Sequence, residues 1–359
     1  MQNILISGGA GFIGSNFIQN ILKTEPGIKV INLDLLTYAG RLENLDNLPV
    51  TDQYVFVKGD ICDVETVNNL LGEYGIDTII HFAAESHVDR SIIGPTKFIQ
   101  TNIIGTFTLL EAVRKFWLEE KQIPLEKVRF HHVSTDEVFG SLGLEDPAFT
   151  EATPYSPRSP YSASKASSDH LVRSFFHTYG LPITITNCSN NYGPRQFPEK
   201  LIPLVILNAL VGKEIPVYGD GGQIRDWLYV NDHCQAIIQV IKRGRIGDTY
   251  NIGGNNQLTN LEVIHKICEI LDRRFPKSPN KPHAQLIRYV ADRPGHDRRY
   301  AMDIGKIQSE LGWEPVESLE SGLIKTVDWY LDHPDWVKMI QEHRDYQGWI
   351  DKNYRNRGG

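Results

Sequence analysis

The feature that most constrains this chain is a rhythm. Up to about residue 190, short apolar runs alternate with stretches of helical period. The runs are Asn3-Ser7, Lys29-Leu33, Tyr54-Val57, Thr78-Phe82, Arg129-Val133 and Ile183-Asn187, each bounded by turn residues. Helical periods lie between them, from Gly11 to Leu22, Val64 to Leu71, Pro95 to Trp117 and Pro160 to Tyr179. Strands that are apolar on both faces and separated by helices belong in a parallel sheet covered on both sides. The expected class is therefore α/β, a Rossmann-like doubly wound sheet with a smaller C-terminal α/β unit. After Asn190 the rhythm loosens, and helical segments remain near Lys200-Leu210, Val230-Lys242, Leu261-Asp272 and Leu319-Leu331. We expect a first domain over 1–190 and a second over 191–335, some segments of which return to the first. Residues 336–359 read as a polar tail with scattered aromatics: Trp336, Tyr346, Trp349 and Tyr354.

Bulk properties exclude several functions. A formal net charge of -7 argues against a general nucleic-acid binder, because phosphate affinity needs a basic surface. Cys62, Cys188, Cys234 and Cys268 are scattered without a CxxC pair. They read as free thiols in a reducing compartment, with no metal site implied. The start, Met1-Gln-Asn and then Ile4-Leu-Ile, has no basic leader or cleavage signal. The longest apolar stretch, Leu201 to Val211, is broken by Pro203 and Asn208 and is too short for a bilayer. The expectation is a cytoplasmic protein without a membrane partner.

The first strand runs into Gly8-Gly9-Ala10-Gly11-Phe12-Ile13-Gly14. Gly8, Gly11 and Gly14 permit a tight turn, close approach of backbone to a pyrophosphate, and close helix-strand packing. The helix that follows offers its positive end. A glycine triplet alone is weak, but Asp34 ends the second strand twenty residues after Gly14. A carboxylate there binds the adenosine ribose hydroxyls and repels a 2′-phosphate. NAD is the cofactor expected, with NADP disfavoured. Asp60 and Ile61, after the third strand, suit an adenine clamp.

The GxxGxxG spacing together with Tyr161-Ser-Ala-Ser-Lys165 resembles the extended short-chain dehydrogenase/reductases. Lys165 lies one helical turn after Tyr161, so both share a face. Its charge, with that of an oxidised nicotinamide, would lower the phenol pKa. The tyrosinate could then take a hydroxyl proton while hydride leaves for the nicotinamide. Thr135, ending the preceding strand, is placed to bond the same hydroxyl. Sugar-nucleotide epimerases, decarboxylases and 4,6-dehydratases of this superfamily all begin by oxidising C4. An epimerase needs no second acid/base pair, whereas a dehydratase must take a proton from C5 and protonate the departing C6 hydroxyl. Asp136 and Glu137, adjacent at the strand end, answer that need if their surroundings separate their pKa values. Glu137 would be the base and Asp136 the protonated acid.

Over almost the whole chain the sequence resembles the dTDP-glucose 4,6-dehydratases. The matching stretches include "SGGAGFIGSNF", "HFAAESHVDRSI", "FHHVSTDEVFG", "SPYSASKASSDHLV", "TNCSNNYGP", "PVYGDGGQIRDWLYV" and "ADRPGHDRRYAMD". The resemblance implies catalysis by Thr135, Asp136, Glu137, Tyr161 and Lys165. It places NAD along Gly8, Gly11, Phe12, Ile13, Gly14, Asp34, Asp60, Ile61, Ala83, Ala84, Thr101, Tyr161, Lys165 and Asn191. It implies substrate contacts from Ser86, Thr135, Asn190, Lys200, Leu201, Pro216, Tyr218, Arg225, Asn260, Arg293 and His296. It also implies a homodimer through the helices starting near Pro95 and Pro160. Independently, a nucleotide diphosphate needs fixed cations, and Arg225 and Arg293 come from separate segments. Tyr218 could flank the base.

Phe139, Arg195 and the Gly-Gly-Gln at 221–223 depart from the family pattern, and Arg195 bears on sugar or nucleotide preference. The expected reaction is dTDP-glucose to dTDP-4-keto-6-deoxyglucose plus water, on the way to rhamnose or related deoxysugars. Two alternatives stay open: a UDP- or GDP-sugar dehydratase or epimerase, and a silent NAD-binding sensor.

Overall fold

The computed structural model describes residues 1–48, 51–343 and 346–349. Its strands are β1 (Asn3–Ser7), β2 (Lys29–Asp34), β3 (Tyr54–Lys58), β4 (Thr78–His81), β5 (Arg129–Thr135) and β6 (Ile183–Cys188). There follow β7 (Asn190–Tyr192), β8 (Ile215–Tyr218), β9 (Ile224–Tyr229), β10 (Thr249–Ile252), β11 (Gln257–Thr259) and β12 (Ile287–Val290). Seven of these form one sheet in the order β10-β6-β5-β4-β1-β2-β3. Every neighbouring pair in it is parallel. Two small sheets, β11-β9-β7 and β12-β8, lie on the later part of the chain.

Side-chain alternation along a strand explains the two-sided cover. Ile4 and Ile6 of β1 pack with Phe17, Ile18 and Ile237 on one face of the sheet. Leu5, between them, packs with Leu70, Leu109 and Trp117 on the other. A third cluster joins Val205, Ile264, Leu323 and Trp336 around the small sheets.

The six early strands match the expected runs to within two residues. Of the later strands, β10 pairs with β6 and completes the large sheet, so the chain leaves that sheet at Cys188 and returns to it at Thr249. Residues expected as a polar tail from 336 begin instead inside a helix, Pro334–Glu342. Trp336, Val337 and Ile340 are buried, because this amphipathic helix lays one face on the third cluster. Trp336 Nε1 donates to Asn44 Oδ1 at 2.9 Å, and Asn44 Nδ2 donates to the Ala10 carbonyl at 2.8 Å. Tyr346 and Trp349 are buried as well. Residues 350–359, with Tyr354, lie outside the described residues. Among the described residues, no helix is long and apolar enough to cross a membrane.

Candidate active site

The order of the large sheet reverses at β1 and β4, and ligands of such sheets bind beyond the strand carboxyl ends at that point. The glycine turn follows β1. Gly8 has φ +75, and a Cβ there would meet Ala83 N, just after β4, at 2.5 Å. A Cβ on Gly14 would strike Gly8 O at 2.3 Å. Only glycine lets these backbones close, and the cradle they leave suits a diphosphate.

Asp34 ends β2 with both oxygens steered by the backbone. Its Oδ2 accepts from Ala10 N at 2.9 Å and its Oδ1 from Leu36 N at 2.8 Å. Burial raises its pKa and those two amides pull it back. Asp60 Oδ1 accepts from Cys62 N at 2.8 Å, which fixes the turn carrying Ile61. These groups line one cavity together with Gly8, Gly11, Phe12, Ile13, Gly14, Ala83, Ala84, Thr101 and Asn191. Asn102, next to Thr101, ties this wall down: its Oδ1 accepts from Glu85 N at 2.9 Å, and its Nδ2 donates to Ser164 Oγ at 2.8 Å. The helix here widens to π geometry over Ile99–Gly105.

Tyr161 and Lys165 reach the same cavity from the helix Pro160–Tyr179. That helix starts hard. Ser159 and Ser162 form a reciprocal capping box around Pro160 at the first position, an arrangement contributing about 1 kcal/mol. Tyr161 therefore sits in a fixed first turn, with Lys165 one turn later. Lys165 is buried, and its Nζ donates to the Val133 carbonyl at 2.9 Å. The expectation was a phenol lowered by Lys165 and a nicotinamide. In the protein alone, burial first and Glu137 second hold the Tyr161 phenol well above its usual range, while Thr135 pulls it down. A carboxylate and a dry pocket both oppose tyrosinate.

The two adjacent acids begin a short 3₁₀ turn, Asp136–Phe139, where β5 ends. Thr135 caps it: its Oγ1 accepts from Glu137 N at 3.3 Å and donates to Asp136 Oδ1 at 3.2 Å. Asp136 Oδ2 is buried without a partner. Burial and the neighbouring Glu137 push the Asp136 carboxyl well above the usual range. Burial raises Glu137 too, but Arg293, Lys200 and Arg225 work against it. The two adjacent carboxyls thus lie in different surroundings.

Glu137 also lines a second cavity, which shares Ser86, Asn190, Glu199 and Lys200 with the first. Its wall holds Leu201, Pro216, Tyr218, Arg225, Asn260, Arg293 and His296. Every site residue expected from the sequence thus lines one or both of two adjoining cavities. Tyr218 hydroxyl donates to Asp89 Oδ2 at 3.3 Å, and its ring meets His296 edge-on. Arg225 spends donors on the Ile224 and Asp297 carbonyls, at 2.8 and 3.0 Å, and lies over Tyr300. Its plane is held, with its charge kept near Glu137.

Several residues shape these walls without having drawn notice in the sequence. Glu199 takes two bonds from Arg90, at 3.1 and 2.9 Å, and Arg90 is sandwiched between Tyr38 and Trp349. His87 and Asp89 line the second cavity. Behind Lys165, His132 and Asp169 are buried. Of the departures, Phe139 stacks on Phe149 in a small core, and Arg195 lies on Trp329, outside both cavities. Gln223 Nε2 donates to Asp292 Oδ2 at 3.0 Å, and Asp292 Oδ1 holds His296 Nδ1 at 2.6 Å.

The family model described as GDP-mannose 4,6 dehydratase matches residues 5–326. The dTDP-glucose 4,6-dehydratase of Xanthomonas campestris pv. campestris (strain B100) is 56% identical over 355 residues, covering 99% of this chain and 98% of that one. The chain belongs to the dTDP-glucose 4,6-dehydratase family. Solved members of the family share the fold. The enzyme from Bacillus anthracis, in complex with NAD, superposes with a TM-score of 0.83 at 46% identity, covering 95% of this chain and 100% of that chain. The enzyme from Streptomyces venezuelae, with NAD and TYD bound, gives 0.85 at 44% identity, covering 94% of this chain and 100% of that chain.

Proposed function

We propose that this protein is an NAD-dependent lyase that converts dTDP-glucose to dTDP-4-keto-6-deoxyglucose and water. The observation that carries the reading is that Asp136, Glu137 and Tyr161 line one cavity and that Glu137 also lines an adjoining one with Lys200, Arg225 and Arg293. Membership of the dehydratase family supports it. The cradle of Gly8 and Gly14 and the steered carboxylate of Asp34 fit NAD. Held by Gly8, Gly14 and Asp34, NAD would supply reversible hydride exchange with the sugar, taking from C4 and giving to C6. The chain's own residues handle protons. Tyr161 takes the C4 hydroxyl proton, with Thr135 hydrogen-bonded to the same hydroxyl and Lys165 keeping positive charge below. Glu137, held nearer to ionisation by three cations, removes the proton from C5 and returns a proton to C5 when hydride adds at C6. Asp136, held neutral by burial, gives its proton to the C6 hydroxyl as it leaves. Arg225, Arg293 and Lys200 bind the diphosphate, and Tyr218 flanks the base.

The experiment is a product assay with several nucleotide sugars, read by the absorbance of the 4-keto product in alkali. Product from dTDP-glucose is expected. Its absence, with the protein folded and loaded with NAD, would remove the reading.

We also propose that residues 1–190 carry cofactor and catalysis, that much of 191–335 carries the substrate, and that the protein is a cytoplasmic homodimer. Exposed Ile99, Ile104, Phe107 and Tyr179 on the helices beyond Thr96 and Pro160 support the dimer, since apolar groups of that size favour a covered face. Phe107→Glu should lower the mass seen in sedimentation from two chains towards one.

A further inference from the structure

Lys165 is buried under the cofactor cavity, and a buried ammonium persists only with a counter-charge. Its Nζ has the Val133 carbonyl at 2.9 Å and His132 Nε2 at 3.3 Å. The same His132 nitrogen lies 3.2 Å from Asp169 Oδ1. His132 and Asp169 are themselves fully buried. Asp169 Oδ2 is anchored on its far side by Ser134 Oγ at 2.8 Å and by the Tyr155 hydroxyl at 2.7 Å. Asp169 lies on the same helix as Lys165 and one turn further on, so the pair holds i, i+4 spacing as Tyr161 and Lys165 do.

We propose that Asp169 is the buried counter-charge of Lys165, with the neutral imidazole of His132 filling the space between them. It is a positioning residue: it touches neither sugar nor cofactor, and acts by keeping Lys165 charged and aimed at the cavity floor. The inference rests on the role given to Lys165 above.

The other groups around Lys165 leave Asp169 as the source of negative charge. His81 from β4 is held neutral, by burial first and then by the charges near it, and is tied to Ser7 Oγ at 2.7 Å and Thr106 Oγ1 at 3.0 Å. His132 from β5 falls to about 4, because burial and Lys165 outweigh Asp169. Burial pushes the Cys188 thiol of β6 up, so it stays protonated. The phenol of Tyr161 is held up by burial and Glu137. Asp136 is pushed up as well. For Asp169 burial works against the charge, yet His132, Lys165 and Tyr155 leave it below the usual range. Burial lowers Lys165, and Asp169 is the first group opposing that.

The sign follows. Without the Asp169 charge, Lys165 loses its proton at lower pH. The test follows Lys165 directly, by the ¹³Cε shift of labelled lysine against pH in the NAD-loaded protein, so it does not depend on turnover. Asp169→Asn should lower the midpoint by about one pH unit or more. The alkaline limb of nicotinamide reduction after mixing with dTDP-glucose should move down with it, while the plateau at lower pH is kept. Asp169→Glu, which displaces the charge and does not remove it, should lower the midpoint by a smaller step and serves if Asp169→Asn does not fold. Tyr155→Phe removes a support of the same carboxylate and leaves its charge, so Lys165 should titrate as in the unmutated protein. A Lys165 midpoint unmoved in folded Asp169→Asn, or in Asp169→Glu if only that variant folds, overturns the proposal whatever happens to the rate. Failure of the lyase reading would show separately, as no product from the unmutated protein.

Discussion

Glu137 faces both cavities, whereas Asp136, its neighbour in the chain, faces only the one lined by the glycine turn. Consecutive residues in a 3₁₀ turn point their side chains about 120° apart, so one peptide bond separates two environments. The charges of Arg293, Lys200 and Arg225 work to lower the Glu137 carboxyl against its burial. Of these three only Arg225 also acts on Asp136, whose Oδ1 has Thr135 and whose Oδ2 is buried without a partner.

That difference assigns separate failures to the two acids. Glu137→Gln should keep fold and bound NAD but lose turnover by roughly 10²–10⁴-fold. C4 oxidation should survive better, so the variant should accumulate reduced nicotinamide with substrate, seen by absorbance. Asp136→Asn should also stall after oxidation while still exchanging the C5 hydrogen with deuterated water. Tyr161→Phe should show neither signal. Near-normal turnover by Glu137→Gln would remove the paired-acid mechanism.

Asp136 should also tax stability. Its folded pKa is raised above that of an unfolded carboxyl, so folding favours the protonated form. The stability this contributes is complete below about pH 4 and is lost as pH rises through the folded value. Asp136→Asn cannot ionise. Its melting temperature should exceed that of the unmutated protein at alkaline pH and match it in acid. A variant less stable at every pH would contradict this.

The cofactor should stay with the protein, because hydride returns to the product and no cycle requires release. Denaturing the purified protein should liberate NAD and little NADP. Asp34→Ala gives up a charge-assisted contact of about 1.5–3 kcal/mol, or roughly 10–100-fold in NAD affinity. It should also narrow the gap to NADP, measured by competition binding.

Nucleotide preference should follow the second cavity. If Tyr218, Arg225 and Arg293 seat a thymidine diphosphate, dTDP-glucose should exceed UDP-glucose in kcat/KM by roughly 10–200-fold, the range a small apolar difference commands. Equal values would leave the lyase and take away the nucleotide assignment.

What was legible in the sequence was local. Gly8 and Gly14 stand where only glycine fits, and Asp34 ends a strand at a countable distance from them. The Tyr161–Lys165 spacing reads as one helix face because the helix repeats every 3.6 residues. The rest depends on contacts between distant segments. Nothing in the spacing of His132 and Asp169 ties one to the other, and only the packing of that helix on β5 joins them. Trp336, Val337 and Ile340 have helical spacing, but polar neighbours hid the pattern. Glu199 gains meaning only from Arg90, a hundred and nine residues earlier.

The return of β10 to the large sheet has a cost during synthesis. When Cys188 has been made, β6 already carries the buried Ile183 and Ile185, and its outer backbone edge has no partner until Thr249 to Ile252 follow. At roughly 5–20 residues per second, that edge stands open for roughly 3–12 seconds. An unpaired apolar strand is a template for other chains. A nascent chain halted between those points, or a fragment cut near residue 190, should seek a chaperone or aggregate.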